Sequence, residues 1–183
     1  MNWRQLPNII TTLRLLSVPP LVWLILHEAY PAALLLALAA GFSDLADGYL
    51  AKRNNWISRY GSIADPLADK LLMLAAFASL AWQELLPWWL LYLTLFRDLV
   101  IVSGATAYHF LVEPLTATPT LLGKLNTTLQ ILLVTAVLID AGYRQLPPSL
   151  LLGLILAVTV VTTITLLQYV IIWSIRTRER WPQ

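Results

Sequence analysis

Asp44-Leu45-Ala46-Asp47-Gly48-Tyr49-Leu50-Ala51-Lys52 is followed, after eight further residues, by Gly61-Ser62-Ile63-Ala64-Asp65-Pro66-Leu67-Ala68-Asp69. Four carboxylates and two glycines therefore stand at fixed spacing where two long apolar stretches meet. Each stretch approaches the ~20 residues that cross a bilayer as a helix. Ionised side chains at membrane depth are costly and usually functional, so this segment marks both the fold and the site.

Composition supports a membrane chain. Hydrophobic residues make up 58% of the sequence, charged residues 12%, and the mean hydropathy is +0.71. A soluble domain carries about 25% charged residues. Hydropathy predicts an all-α integral membrane protein, a bundle of six transmembrane helices at about 11–27, 32–51, 64–82, 87–109, 120–139 and 148–174. Prolines 31, 87, 114, 119, 147 and 148 mark short connections, and residues 1–183 read as a single domain. The opening Met1–Asn8, with Trp3, Arg4, Leu6 and Pro7, suits a short N-terminal interfacial segment and lacks the cleavage pattern of a secretory signal. Trp and Tyr near the predicted helix ends, among them Trp3, Tyr30, Trp82, Trp88 and Tyr143, fit the membrane interface. The chain has no cysteine, which excludes disulfide and thiolate chemistry.

The placement of Lys and Arg sets the orientation. Six spans put both ends and the second–third and fourth–fifth loops on one side. That side receives Arg4, Lys52, Arg53, Arg59, Lys70, Lys124, Arg176, Arg178 and Arg180, whereas the opposite loops hold only Arg144. By the positive-inside rule, the aspartate segment faces the cytoplasm, and the expected location is a bacterial inner membrane.

Asp44 and Asp47 lie three residues apart, and Asp65 and Asp69 four apart, so each pair stacks on one helical face. On antiparallel neighbouring helices the four carboxylates would converge and repel, and a divalent cation would resolve the conflict. Oxygen ligands without nearby His or Cys indicate Mg²⁺ or Mn²⁺. Four carboxylates exceed the usual share of one Mg²⁺ ion, which points to two ions, or to one ion plus a base. Gly48 and Gly61 allow a bulky ligand to approach closely, or else pack against neighbouring helices. Asn8, Thr11 and Arg14 share one face of the first helix, where a polar stripe would border a pocket, pack, or meet headgroups. Arg97 and Asp98 fall within a predicted span, as a buried ion pair or as a ligand-binding pair.

The segment from Asp44 to Asp69 resembles the signature of the CDP-alcohol phosphatidyltransferases, D-x-x-D-G-x-x-A-R, eight residues, then G-x-x-x-D-x-x-x-D. Pro7–Arg14, Asp65–Lys70, Phe96-Arg97-Asp98 and Gly123-Lys124-Leu125-Asn126-Thr127 resemble its phosphatidylglycerophosphate synthase and cardiolipin synthase branches. The resemblance implies transfer of a phosphatidyl group from CDP-diacylglycerol to an alcohol, with release of CMP. It implies that Asp44, Asp47, Asp65 and Asp69 hold the metal, with Asp69 also the catalytic base. Asp47, Gly48, Lys52 and Gly61 would meet the nucleotide diphosphate, and Arg97 and Lys124 would hold the acceptor. The partners implied are CDP-diacylglycerol, an alcohol acceptor, the bilayer and a second copy of the chain, with no nucleic acid.

The chain departs from the signature at Lys52, where the family carries Arg. An ammonium cannot fork across two phosphate oxygens, so weaker diphosphate binding is expected. The family's G-K-x-K-T has lost one lysine at Asn126, which resembles the cardiolipin synthase branch, whose acceptor is phosphatidylglycerol. Glycerol 3-phosphate, the commoner acceptor, is nevertheless expected first. An ion-coupled transporter, a prenyltransferase and a non-catalytic scaffold are the competing readings. They account less well for four aspartates at this spacing, and the chain shows no internal repeat of the kind common in transporters.

Overall fold

The computed structural model describes residues 6–54, 59–111 and 120–180, with side chains at 8–43, 64–106, 120–172 and 174. Every element among the described residues is a helix: α1 (Leu6–Leu16), α2 (Val18–Leu26), α3 (Tyr30–Asn54), α4 (Arg59–Trp82), α5 (Trp88–Leu111), α6 (Leu121–Gly142) and α7 (Pro148–Arg180). Counting α1 and α2 as one interrupted rod, six rods match the six expected. Among the described residues, four stretches, Asn8–Leu26, Trp88–Thr106, Leu121–Gly142 and Pro148–Ile172, are long and apolar enough to cross a membrane. In α3 the described apolar stretch is Tyr30–Ser43. Leu13, Leu16, Trp23, Leu35, Phe42, Tyr92, Phe96 and Leu156 point outward, which suits hydrocarbon rather than water. The chain is an all-α integral membrane protein. Residues 1–5 of the expected interfacial segment lie outside the described residues, and Leu6 already opens α1.

The first rod breaks at Ser17, a feature the reading of a continuous helix over 11–27 did not include. Pro19 and Pro20 lack amide donors, and their rings clash with the preceding turn. At the break, Ser17 Oγ donates to the Arg14 carbonyl at 2.6 Å, and its N–H reaches Leu13 O at 2.9 Å. α2 and α4 end alike. Glu28 and Glu84 take left-handed φ of 60° and 59°. Ala29 N–H then returns to Leu24 O and Leu85 N–H to Leu80 O, both at 2.9 Å, the pattern of a Schellman cap. Gln83 Nε2 donates to Ile25 O and Leu26 O, tying the two helix ends together.

The helices group into two compact units, Met1–Leu86 with Val134–Leu146, and Pro87–Leu133 with Pro147–Gln183. In the first, α1 packs against both α3 and α4, and so does α2. Its core is rich in small residues, Ala33, Ala40, Ala68, Ala76 and Ala81, which let membrane helices approach closely. In the second, α5 packs on α7. Its buried residues include Leu90, Leu133 and Val158, together with the polar Thr94, Arg97, Asn126, Thr162 and Thr165.

Candidate functional site

Both halves of the aspartate segment are helical. α3 runs through Asp44, Asp47, Gly48 and Lys52 to Asn54, and α4 starts at Arg59, ahead of Gly61. The expected boundaries at 51 and 64 were short because polar residues there resemble a loop, yet they continue the helices. The side chains of Asp44, Asp47 and Lys52 lie outside the described residues, as do the surroundings of Gly48 and Gly61. Asp65 and Asp69 are described, and α4 carries them one turn apart on one face, as their spacing required.

The partners of these carboxylates come from α1. Thr11 Oγ1 donates to Asp65 Oδ1. Arg14 Nη1 donates to Asp69 Oδ1 at 2.8 Å, forming an ion pair. Thr11 and Arg14 are 1% and 2% exposed, whereas the Asp69 side chain is 45% exposed. The donors are thus locked inside the unit while Asp69 keeps an open side. Asn8, half-buried, sits one turn before Thr11, and its carbonyl accepts from Thr12 Oγ1 at 2.8 Å. The polar stripe on the first helix therefore holds the carboxylates in place.

Among the described residues, no three His, Cys, Asp or Glu side chains cluster as metal ligands, since only half of the expected quartet is described. The donors present suit a hard divalent cation. Asp65 and Asp69 offer carboxylate oxygens on one face, the ligand type such a cation prefers. Arg14 offsets part of the negative charge that the aspartates accumulate.

In the second unit, Arg97 is 9% exposed and Nη1 pairs with Asp98 Oδ1 at 2.6 Å. The guanidinium also approaches Gly123: an ideal Cβ there would lie 3.7 Å from Arg97 Nη2 and 3.9 Å from the Tyr169 hydroxyl. Lys124, the next residue, is exposed. Asn126 is fully buried, and its Oδ1 accepts from Thr162 Oγ1 at 2.7 Å. Thr162 and Tyr169 of the last helix are not among the site residues expected from the sequence. The one available signal was the turn-by-turn recurrence of Thr162, Thr165, Gln168 and Tyr169.

Comparison with known proteins agrees with the motif. The family model described as CDP-alcohol phosphatidyltransferase matches residues 4–175. A probable cardiolipin synthase (CMP-forming) of Drosophila melanogaster is 31% identical over 92% of this chain and 58% of its own length. A cardiolipin synthase (CMP-forming) of Streptomyces coelicolor is 39% identical over 57% of this chain and 52% of its own length. A CDP-diacylglycerol–glycerol-3-phosphate 3-phosphatidyltransferase of Cereibacter sphaeroides is 34% identical over 80% of this chain and 68% of its own. The chain thus spans a little over half the length of the first two relatives. With the aspartate signature on α3 and α4 and a match running from α1 into α7, the chain belongs to the CDP-alcohol phosphatidyltransferase family.

Proposed function

We propose that this protein transfers the phosphatidyl group of CDP-diacylglycerol to a glycerol-type hydroxyl and releases CMP. The observation that carries the reading is the pairing of Asp65 and Asp69 with the buried Thr11 and Arg14, which fixes two signature carboxylates on one helical face. Asp69, partly open and oriented by Arg14, accepts the acceptor's hydroxyl proton. The new P–O bond forms at the phosphorus that bears the diacylglycerol, while the bond from that phosphorus to CMP breaks. One or two Mg²⁺ or Mn²⁺ ions, held by Asp44, Asp47, Asp65 and Asp69, would supply positive charge for the diphosphate when bound. Gly48 and Gly61 leave room for the nucleotide, and Lys52 provides charge to its phosphates. Arg97 and Lys124 serve the acceptor. The family match runs through both compact units, which supports one catalytic domain over residues 1–183. The excess of Lys and Arg on one side supports a site on the cytoplasmic face, and a bacterial inner membrane and a homodimer are the expected location and assembly.

Phosphatidylglycerol is the acceptor that the described residues favour. Arg97 is already paired with Asp98, and the family's second lysine is replaced by a buried Asn126 bonded to Thr162. That leaves few cations for a dianionic phosphate. Glycerol 3-phosphate, expected first from the sequence, is the second reading, supported by the exposed Lys124 beside Gly123 and by the Cereibacter relative. Mass spectrometry of lipids formed from CDP-diacylglycerol with equal amounts of both acceptors tests the choice. Predominant cardiolipin supports the first reading and predominant phosphatidylglycerophosphate the second. Neither product from folded, metal-supplied protein contradicts both.

A further inference from the structure

Within the first unit, α1 and α2 pack against the same neighbour, α4. On one side of the break at Ser17, Thr11 and Arg14 bond to Asp65 and Asp69. On the other side, Gln83 Nε2 of α4 donates to the Ile25 and Leu26 carbonyls, and Leu21 and Ile25 are fully buried. The rod is thus fastened to α4 above and below the break. How Arg14 sits against Asp69 then depends on the joint between the two fastenings.

Ser17 stands at the N-cap of α2 and is followed by Val18, Pro19 and Pro20. A serine in that position ordinarily accepts a hydrogen bond from the backbone N–H of the second or third helical residue. In α2 those residues are the two prolines, which have no N–H to give. The Ser17 side chain accordingly makes no cap bond to α2. Its hydroxyl turns back and donates to the Arg14 carbonyl at 2.6 Å, which also receives the Ser17 N–H at 3.1 Å. The capping serine grips the last turn of α1 rather than the first turn of α2.

That turn carries the guanidinium that meets Asp69. The Arg14 side chain is 1% exposed, whereas the Asp69 side chain is 45% exposed. Close packing confines the arginine, so a shift of its backbone moves Nη1 instead of being absorbed by another rotamer. The more open Asp69 follows the guanidinium through their 2.8 Å bond. Misplacing a reacting group by about 1 Å costs up to about a hundredfold in rate.

We propose that Ser17 is a positioning residue for the transfer. By holding the Arg14 carbonyl at the proline break, it keeps the last turn of α1, and with it the Arg14 guanidinium, in register with Asp69. The proposal rests on the transferase reading, in which Asp69 takes the acceptor's proton. It adds Ser17, Pro19 and Pro20, to which that reading gives no role.

The test uses the full chain in nanodiscs with Mg²⁺ and follows CMP release from radiolabelled CDP-diacylglycerol, with phosphatidylglycerol or glycerol 3-phosphate as acceptor. Ser17→Ala lowers kcat about tenfold and leaves the KM of both substrates within about twofold, the pattern of an interaction felt in the transition state. Ser17→Thr, which keeps the hydroxyl, restores kcat to within about twofold of the wild type. In an Arg14→Met background, Ser17→Ala changes kcat by less than about twofold, because the side chain through which it acts is gone. Ser17→Cys, a weaker donor of similar size, and Arg14→Gln take over if either first choice fails to fold. An unchanged kcat in folded Ser17→Ala overturns the proposal, as does an equal fall with and without Arg14. A rise confined to the KM for CDP-diacylglycerol also overturns it, since that makes Ser17 part of substrate binding. Absence of CMP release by the wild type with every acceptor overturns the transferase reading itself, and the proposal with it.

Discussion

At the scale of single residues, two aspartates on one helix face have different partners, Thr11 for Asp65 and Arg14 for Asp69. Asp69→Asn keeps the shape of the side chain but cannot take a proton, so turnover is expected to fall about a thousandfold. Metal-dependent binding of a cytidine nucleotide, followed by calorimetry, is expected to persist in that variant, and full activity would remove Asp69 from the catalytic role. Thr11→Val conserves volume while removing the hydroxyl given to Asp65. It should cost about 1 kcal/mol of stability and lower kcat several-fold, measured by thermal unfolding and CMP release on one preparation. That Asp65 and Asp69 share one face of a helix was legible in the sequence, because a spacing of four residues stacks side chains one turn apart. Their partners were not legible. Thr11 and Arg14 lie 54 and 55 positions away, and a single sequence does not give the register between two helices.

At the scale of helices, glycines separate backbone crowding from open surface. A Cβ at Gly142 would lie 3.0 Å from the ring and nitrogen of Pro31 and from Tyr30 Cβ, groups with little freedom to move. Gly142→Ala should destabilise the protein by about 1–3 kcal/mol. At Gly153 an added Cβ would meet nothing within 4 Å. Gly153→Ala should therefore stabilise α7 by roughly 0.5–1 kcal/mol. Opposite shifts in thermal midpoint in the same detergent check the pair, and equal shifts would contradict it. The apolar rods were readable from hydropathy, whereas the break at Ser17 depended on two prolines within an otherwise continuous stretch. The polar face of α7 was hidden for another reason. Thr159, Thr163 and Thr165 satisfy their hydroxyls on carbonyls of the preceding turn, as threonines in membrane helices commonly do. Thr162 instead reaches Asn126 on α6, and nothing in the local sequence distinguishes it from its neighbours.

At the scale of the whole molecule, the family match covers residues 4–175, and the signature aspartates belong to one compact unit while Arg97 and Lys124 belong to the other. The match runs through both units, so the intact chain is the object to assay. Metal-dependent phosphatidyl transfer from CDP-diacylglycerol is tested most directly by CMP release from the purified full-length chain with Mg²⁺ or Mn²⁺, comparing phosphatidylglycerol, glycerol 3-phosphate, inositol phosphate and serine. The predicted result is metal-dependent release with a glycerol-type acceptor, abolished by EDTA and by Asp69→Asn. Absence of both CDP-diacylglycerol binding and CMP release in demonstrably folded, metal-supplied protein would contradict it.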